Sequence, residues 1–164
     1  MIYKKYLIPF DIDLKSLQGY NYFCLDFLTR GETIMRCLIV EDEFTSRMQL
    51  KFFMESNGTC DIAVNAKEAL SAITLAINEK KPYSLICLDI KMPGMNGNEL
   101  LNKIRQEEEQ RGLKTSERVK IFMTTGVTDS KSVMQSFYDM CDEYIPKPVD
   151  NLYLTSLLKK HSLI

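Results

Sequence analysis

Residues 85–97 read LICLDIKMPGMNG, an apolar run that ends on the carboxylate Asp89 and continues into a loop rich in Pro and Gly. A short, continuous apolar run bounded by turn residues is typical of a strand buried on both faces. Other apolar runs end in the same way, on Glu41-Asp42, on Thr125 and on Lys147-Pro148. Because the carboxyl ends of parallel strands meet at one edge of a sheet, we expect these polar groups to form one site.

Amphipathic stretches separate the apolar runs and predict helices between the strands. The first helix is expected to begin near Thr45 or Ser46 and to stop at Asn57-Gly58, and a later one to begin with Asp129 as its N-cap. The strands are predicted at residues 37–40, 60–64, 84–88, 121–124 and 143–146. Pro146 cannot donate to a ladder, so the last strand must end there or lie on an edge. Five strand–helix units predict an α/β fold, a doubly wound five-stranded parallel sheet with helices on both faces.

Composition excludes several classes of function. The 164 residues are 45% hydrophobic and 26% charged with a net charge of -1, which indicates a globular domain with no bulk attraction to nucleic acid or membranes. The five cysteines lack Cys-x-x-Cys spacing and are interpreted as buried free thiols. His161 is the one histidine, which argues against a zinc site or a Ser-His pair. The acidic run at 107–109 is interpreted as a solvated helix end.

Residues 1–34 do not join the strand–helix pattern and are assigned to an N-terminal extension, with a domain over 35–164. They contain seven aromatic residues without a sustained period, which fits either a docking arm or a loosely ordered extension. A third interpretation is that synthesis begins at Met35, because Arg30-Gly31-Glu32 is compatible with a purine-rich ribosome-binding sequence. An intact-mass measurement of the native protein tests this third interpretation, because a species that begins at Met1 would contradict it.

The predicted site favours phosphoryl chemistry. Glu41, Asp42 and Asp89 resist joint ionisation at close range, and an all-oxygen, carboxylate-rich site suits Mg²⁺. Mg²⁺ shares its shell with phosphate oxygens, so a phosphorylated ligand or intermediate is implied. Lys147 supplies a cation for a phosphoryl oxygen and Thr125 a hydroxyl donor, while Asp89 is a suitable nucleophile for an acyl phosphate.

About four-fifths of the chain, from Met35 onward, resembles the receiver domain of bacterial two-component response regulators, of the chemotaxis-regulator type. Four motifs in receiver-like order carry the resemblance: LIVEDE at 38–43, LDIKMPGMNG at 88–97, MTTG at 123–126 and YIPKP at 144–148. The resemblance implies the flavodoxin-like strand order 2-1-3-4-5. It also implies a cytoplasmic protein whose phosphodonor is a histidine kinase or a histidine phosphotransfer protein.

The resemblance also implies a role for each site residue. Asp89 matches the phospho-acceptor, Asp42 the direct Mg²⁺ ligand and Glu41 its acidic neighbour, while Lys91 matches the position whose backbone carbonyl completes the metal shell. Thr125 matches the switch hydroxyl that turns toward the phosphoryl group, and Lys147 matches the lysine that pairs with that group. Tyr144 matches the aromatic switch whose rotamer follows Thr125. Thr125 is preferred to Thr124 because the small Gly126 follows it.

Two departures from the family pattern predict slow loss of the phosphoryl group: the cationic side chain of Lys91 and the apolar Val127. No output domain follows, so we expect a stand-alone regulator that signals through a protein-binding face over Asp129–Met140 and Tyr144. A relay intermediate that passes the phosphoryl group to a second histidine protein is an alternative within this class. A Mg²⁺-dependent aspartyl-phosphate phosphatase is disfavoured, because Lys91 stands where such enzymes carry an acid. A constitutive binding module is the third alternative.

Overall fold

The computed structural model describes residues 35–126 and 140–164. The described strands are β1 (Met35–Val40), β2 (Gly58–Ala63), β3 (Leu85–Asp89), β4 (Lys120–Thr125) and β5 (Glu143–Pro146). The described α-helices are α1 (Phe44–Met54), α2 (Ala66–Asn78), α3 (Gly97–Gln110) and α4 (Asn151–Lys160), and a short 3₁₀ helix covers Thr115–Glu117. The predicted N-cap Asp129 and the helix expected after it lie outside the described residues.

The five strands form one parallel sheet in the order β2-β1-β3-β4-β5, which confirms the predicted fold and strand order. β5 lies at an edge and ends at Pro146, as expected for a residue without an N–H group. From β1 the chain adds β2 on one side of the sheet and β3 on the other, so the strand order reverses between β1 and β3. The carboxyl ends of those two strands therefore border the crevice where such folds bind ligands.

Side chains alternate along the central strands between two buried clusters, one on each face of the sheet. On one face α2 and α3 cover the residues Leu38, Val40, Ile86, Leu88, Ile121 and Met123. On the other face α1 and α4 cover Cys37, Ile39, Leu85, Cys87, Phe122 and Ile145. Burial on both faces explains why these strands are continuous apolar runs and not alternating ones.

Side-chain caps fix where the helices begin. The Glu43 carboxylate accepts hydrogen bonds from the N–H groups of Thr45 (2.8 Å) and Ser46 (2.5 Å), so α1 begins at Phe44, just before the predicted start. Asn96 forms a capping box with Glu99 at the start of α3. These caps end the loops that follow β1 and β3, and therefore limit the conformations of the loop that carries Asp42 and of the loop that follows Asp89.

The predicted role of Gly58 was wrong. Helix α1 ends at Met54, and Gly58 is the first residue of β2, in register with Met35. A Cβ atom on Gly58 would lie 2.0 Å from the Met35 carbonyl oxygen. Glycine is therefore needed there for close approach of two strands, and not to terminate a helix.

The interpretation of residues 107–109 as a solvated helix end was wrong for Glu108, which is 7% exposed. Its carboxylate accepts a hydrogen bond from the Val119 N–H (2.8 Å) and pairs with Arg105 (2.7 Å). Arg105 also pairs with Asp142, at 3.2 Å. These contacts join α3 to the start of β4 and to the residue before β5.

The cysteines fit the predicted free thiols only in part. Cys37 and Cys87 are buried, whereas Cys60 and Cys141 are partly exposed, and none of these four forms a disulfide with another described residue. Burial raises the pKa of the Cys37 thiol, which keeps it protonated. Cys24 lies outside the described residues.

Candidate functional site

The four strand ends named from the sequence come together at the carboxyl edge of the sheet. Glu41 follows β1 and is held there by a hydrogen bond from its N–H to the Ala63 carbonyl (3.1 Å). Asp89 is the last residue of β3, and both carboxylates are buried, with 0% exposure for Glu41 and 4% for Asp89. Lys147 follows β5, and its N–H donates to the carbonyl of Thr125, the last residue of β4 (2.7 Å).

Lys147 bridges the two buried carboxylates. Its Nζ atom lies 2.6 Å from Glu41 Oε2 and 2.9 Å from Asp89 Oδ1, with 22% of the lysine side chain exposed. Burial lowers the pKa of Lys147, but hydrogen bonds to Glu41 and Asp89 outweigh burial, so that the net shift is upward. The ammonium therefore stays charged and neutralises part of the acidic cluster.

Asp42 completes the acidic cluster. One carboxylate oxygen from each of Glu41, Asp42 and Asp89 lies within 4.8 Å of the others, and Asp42 is exposed at the mouth of the site. The three carboxylates are offset by one ammonium, so two negative charges remain among these four groups when all are ionised. A hard divalent cation with oxygen ligands matches that charge and that donor set.

Burial raises the pKa of both Glu41 and Asp89 above their ordinary values. Hydrogen bonds from Lys147 lower both pKa values and offset part of this effect, and the Lys91 N–H donates a further hydrogen bond to Asp89. Mutual repulsion between Asp89 and the acidic residues of the β1–α1 loop also contributes to the upward shifts. Burial and mutual repulsion therefore disfavour the ionised forms of Glu41 and Asp89, and a bound cation would relieve that cost.

Thr125 and Lys91 lie where the sequence placed them, at the end of β4 and in the loop after β3. Thr125 is 7% exposed, and its hydroxyl donates to the Gly126 carbonyl at 3.3 Å. Thr124 is in register with Asp89 and is fully buried, so its side chain lies on the Asp89 face of the sheet. Tyr144 is in register with Met123 and packs against the cluster under α2 and α3. Val127 lies outside the described residues.

Sequence reasoning missed an apolar stripe on α1, next to the acidic loop. Phe44, Met48 and Phe52 are 66%, 41% and 75% exposed, and their spacing of four residues places them on one face of the helix. The i, i+4, i+8 pattern was present in the sequence, but it could not reveal which face of the helix meets the sheet. Leu50 and Met54 occupy the buried face instead.

Comparisons with known proteins agree with this geometry. The family model described as response regulator receiver domain matches residues 37–159. An uncharacterized 14.6 kDa protein of Leptolyngbya boryana is 30% identical over 79% of this chain and 91% of its own length. The transcriptional regulatory protein ResD of Bacillus subtilis is 33% identical over 69% of this chain, which spans only 42% of that regulator.

The chain belongs to the response regulator receiver domain family. Among solved structures, it is similar to the receiver domain of the Saccharomyces cerevisiae response regulator Ssk1, co-crystallised with the histidine phosphotransfer signaling protein Ypd1. That match has a TM-score of 0.60 and 26% identity, and covers 78% of this chain and 86% of the solved chain. In the part of the chain that the structure describes, none of the helices combines the length and apolar character needed to cross a bilayer.

Proposed function

We propose that the protein accepts a phosphoryl group on Asp89 from a phosphorylated histidine of a kinase or phosphotransfer protein. The observation that carries the proposal is the pairing of Lys147 with both Asp89 and Glu41 beside the exposed Asp42. In-line phosphoryl transfer needs a positioned nucleophile and charge neutralisation, and this cluster provides both.

In the proposed reaction, one oxygen of the Asp89 carboxylate forms a bond to phosphorus while the bond from phosphorus to the donor's ring nitrogen breaks. The electron pair of the broken bond stays on that nitrogen, and a donor ring protonated on its second nitrogen leaves as neutral imidazole. The ammonium of Lys147 pairs with a phosphoryl oxygen as negative charge arrives. The Thr125 hydroxyl turns from the Gly126 carbonyl to donate to another phosphoryl oxygen.

Glu41, Asp42 and Asp89 would hold Mg²⁺ through carboxylate oxygens, together with the backbone carbonyl of Lys91. The bound ion would supply charge neutralisation for the phosphoryl oxygens. The buried carboxylates with raised pKa values and the uncompensated negative charge of the cluster support this assignment.

The phosphodonor is proposed to dock on the exposed apolar stripe Phe44, Met48 and Phe52. Phe44 follows the acidic loop directly, so a protein seated on the stripe reaches the mouth of the site. Exposed apolar residues that form a contiguous patch mark interaction surfaces. The yeast receiver that resembles this chain was crystallised with a histidine phosphotransfer protein, which supports a donor of that class.

The phosphorylated protein is proposed to act in the cytoplasm through a changed protein-binding face that includes Tyr144. The helix expected over Asp129–Met140 lies almost entirely outside the described residues and remains part of this proposal. We further propose slow loss of the phosphoryl group, because Lys91 brings a cation to the site and Val127 cannot position a water molecule. A relay role, in which Asp89 passes the group to a second histidine protein, is compatible with the same site.

Incubation with acetyl phosphate and Mg²⁺ tests the phospho-acceptor role by intact-mass spectrometry. Wild type is expected to gain the mass of one phosphoryl group, and Asp89→Asn to gain none. Asp150→Asn is the matched control, because Asp150 caps α4 and Asn is an equally good cap, so labelling should persist. Absence of labelling in wild type, or persistent labelling of Asp89→Asn, contradicts the proposal.

Docking on α1 is tested separately with a histidine phosphotransfer domain that phosphorylates the wild-type protein. Phe52→Ser should weaken transfer from the protein donor by about tenfold, since truncating an aromatic anchor of an interface costs on the order of 1–2 kcal/mol. Labelling by acetyl phosphate should be unchanged, because Phe52 lies more than two turns along α1 from the acidic loop. Equal loss with both donors would contradict docking on the stripe.

Turnover of small phosphate esters distinguishes the phosphatase alternative. We expect none, because Lys91 stands two residues after Asp89, where phosphatases of this kind carry the carboxylic acid that protonates the leaving alcohol. Multiple turnovers of p-nitrophenyl phosphate that require Asp89 would overturn this expectation.

A further inference from the structure

Arg47 ties helix α1 to the acidic loop in front of it. Its Nη1 atom donates to the backbone carbonyls of both Glu41 (2.8 Å) and Asp42 (3.0 Å). The guanidinium also lies over the ring of Phe44, 5.6 Å from the centroid. These hydrogen bonds are to the backbone of Glu41 and Asp42 and not to their carboxylates. Arg47 therefore holds the backbone from which both acidic side chains project.

The two acidic residues differ in how much other structure holds them. Glu41 is fully buried, pairs with Lys147 and hydrogen-bonds through its N–H to β2. Asp42 is exposed and follows the end of β1, so the direction of its side chain depends on the conformation of the loop. The two Arg47 hydrogen bonds therefore constrain the peptide units on both sides of the Asp42 Cα atom, from which the ligand side chain projects.

The next residue constrains the loop from the other side. The Glu43 N–H donates to Glu41 Oε1 at 3.3 Å, and the Glu43 carboxylate caps α1. The N–H groups of Thr45 and Ser46 both donate to this carboxylate. The cap fixes the start of the helix, and Arg47, in the first turns of that helix, is thereby fixed relative to the loop.

We propose that Arg47 is a positioning residue for the Mg²⁺ site and acts through Asp42. The inference rests on the proposed function, because it assumes that the acidic cluster binds Mg²⁺. Arg47 has two opposed effects on that site: its positive charge repels a cation, while its hydrogen bonds pre-organise a ligand. Partners that orient a metal ligand typically change metal affinity by about 10–100-fold, which exceeds the effect of one solvent-screened charge.

The sign of the change therefore identifies the role. If Arg47 positions Asp42, Arg47→Gln raises the Mg²⁺ concentration for half-saturation by about tenfold. If Arg47 acted only as a nearby charge, the same substitution would lower that concentration. If Arg47 only stabilised the fold, the melting temperature would fall equally at every Mg²⁺ concentration and half-saturation would not move.

Thermal melting of the full chain over a range of Mg²⁺ concentrations gives the half-saturating concentration without any phosphodonor, because bound Mg²⁺ stabilises the folded state by RT ln(1 + [Mg²⁺]/Kd) and the fitted Kd equals that concentration. Arg47→Gln is compared with wild type, with Arg47→Lys and with Lys51→Gln. Lys51 is the matched control, because it is a cation on the same helix that pairs with Glu55 instead of the loop. Arg47→Lys keeps the charge without the planar guanidinium and should give a shift between those of wild type and Arg47→Gln. It also provides the measurement if Arg47→Gln does not fold.

The rate of acetyl phosphate labelling at saturating Mg²⁺ is a second, independent measurement. At saturating Mg²⁺ the acetyl phosphate labelling rate of Arg47→Gln should return to within about twofold of wild type, because the ligands themselves are intact. The wild type must first bind Mg²⁺ and be labelled. If both Arg47 variants then bind Mg²⁺ as tightly as the wild type or more tightly, the proposed role of Arg47 is wrong, while the phospho-acceptor role stands. A wild type without any Mg²⁺-dependent stabilisation would overturn the metal site as well.

Discussion

Removing Lys147 should destabilise the metal-free protein in a way that depends on pH. Lys147→Met leaves Glu41 and Asp89 buried beside each other without a counter-charge. At an effective dielectric constant of about 20, each of the two lysine contacts corresponds to roughly 6 kcal/mol of attraction. Most of this attraction is cancelled by the cost of taking the ions out of water.

The net loss in the free energy of unfolding can be judged from substitutions in other buried ion pairs. Removing one partner of a buried ion pair costs about 3–5 kcal/mol. The Lys147 side chain is 22% exposed, so solvent screens part of the interaction, and we expect a loss of about 2 kcal/mol near pH 7.5. The sign of the pH dependence follows from the carboxylates, whose pKa values are raised in the folded protein and should rise further without the ammonium. Groups of this kind lose stability as pH rises through the folded-state pKa, so the deficit of Lys147→Met should shrink towards about pH 5.

Urea denaturation in the presence of a chelator, at both pH values, is the assay. Adding Asp89→Asn to Lys147→Met should recover most of the lost free energy of unfolding, because only one buried carboxylate then remains. The control is Lys160→Met, which removes an exposed lysine that pairs with Glu143 and should cost under about 1 kcal/mol. A loss below about 0.5 kcal/mol for Lys147→Met, or the same loss at both pH values, would refute the electrostatic account.

Three further substitutions test the surroundings of the site. Thr124→Val should raise the free energy of unfolding by about 1 kcal/mol in urea, because the fully buried Thr124 hydroxyl has no hydrogen-bond partner among the described residues. A loss of stability would show that the hydroxyl is bonded. Glu108→Leu should cost about 3 kcal/mol, because the Val119 N–H and Arg105 each lose an acceptor, whereas the exposed neighbour in Glu109→Leu should cost little. Gly97→Ala should cost about 2 kcal/mol and slow acetyl phosphate labelling, because its Cβ would lie 2.1 Å from the Asp89 carbonyl oxygen and must displace the acceptor loop; unchanged melting and labelling would contradict that close approach.

The positions of the central strands β1, β3 and β4 were predictable because burial on both faces leaves a simple signal, a continuous apolar run. The observed strand at Leu85–Asp89 differs by one residue at each end from the predicted 84–88, and the sheet order agrees with the resemblance to receivers. The meeting of Glu41, Asp89 and Lys147 was predictable for a related reason. Parallel strands place their carboxyl ends at one edge, whatever the distance between them along the chain.

The errors arose where a residue's role depends on a partner distant in sequence or on close backbone packing. Glu108 is charged and lies in an acidic run, so its pattern indicates solvent, but its partner Val119 is brought to it by the turn after α3. Gly58 follows a helix, so its pattern indicates a terminator, but the carbonyl of Met35 excludes any side chain there. Neither the Glu108–Val119 hydrogen bond nor the close approach of Gly58 to Met35 can be recognised from the periodicity or composition of the sequence.

The order of apolar runs and of the polar residues that end them was enough to determine the class of fold, the edge that carries the site and the chemical types gathered there. Those properties follow from burial and from strand direction, and both can be recognised from short stretches of sequence. Only the tertiary structure decided that Lys147 contacts two carboxylates at once, that Arg47 holds the backbone of the acidic loop and that α1 turns a row of apolar residues to solvent. Such features depend on distances between separate elements, and these distances are set by how the helices pack on the sheet.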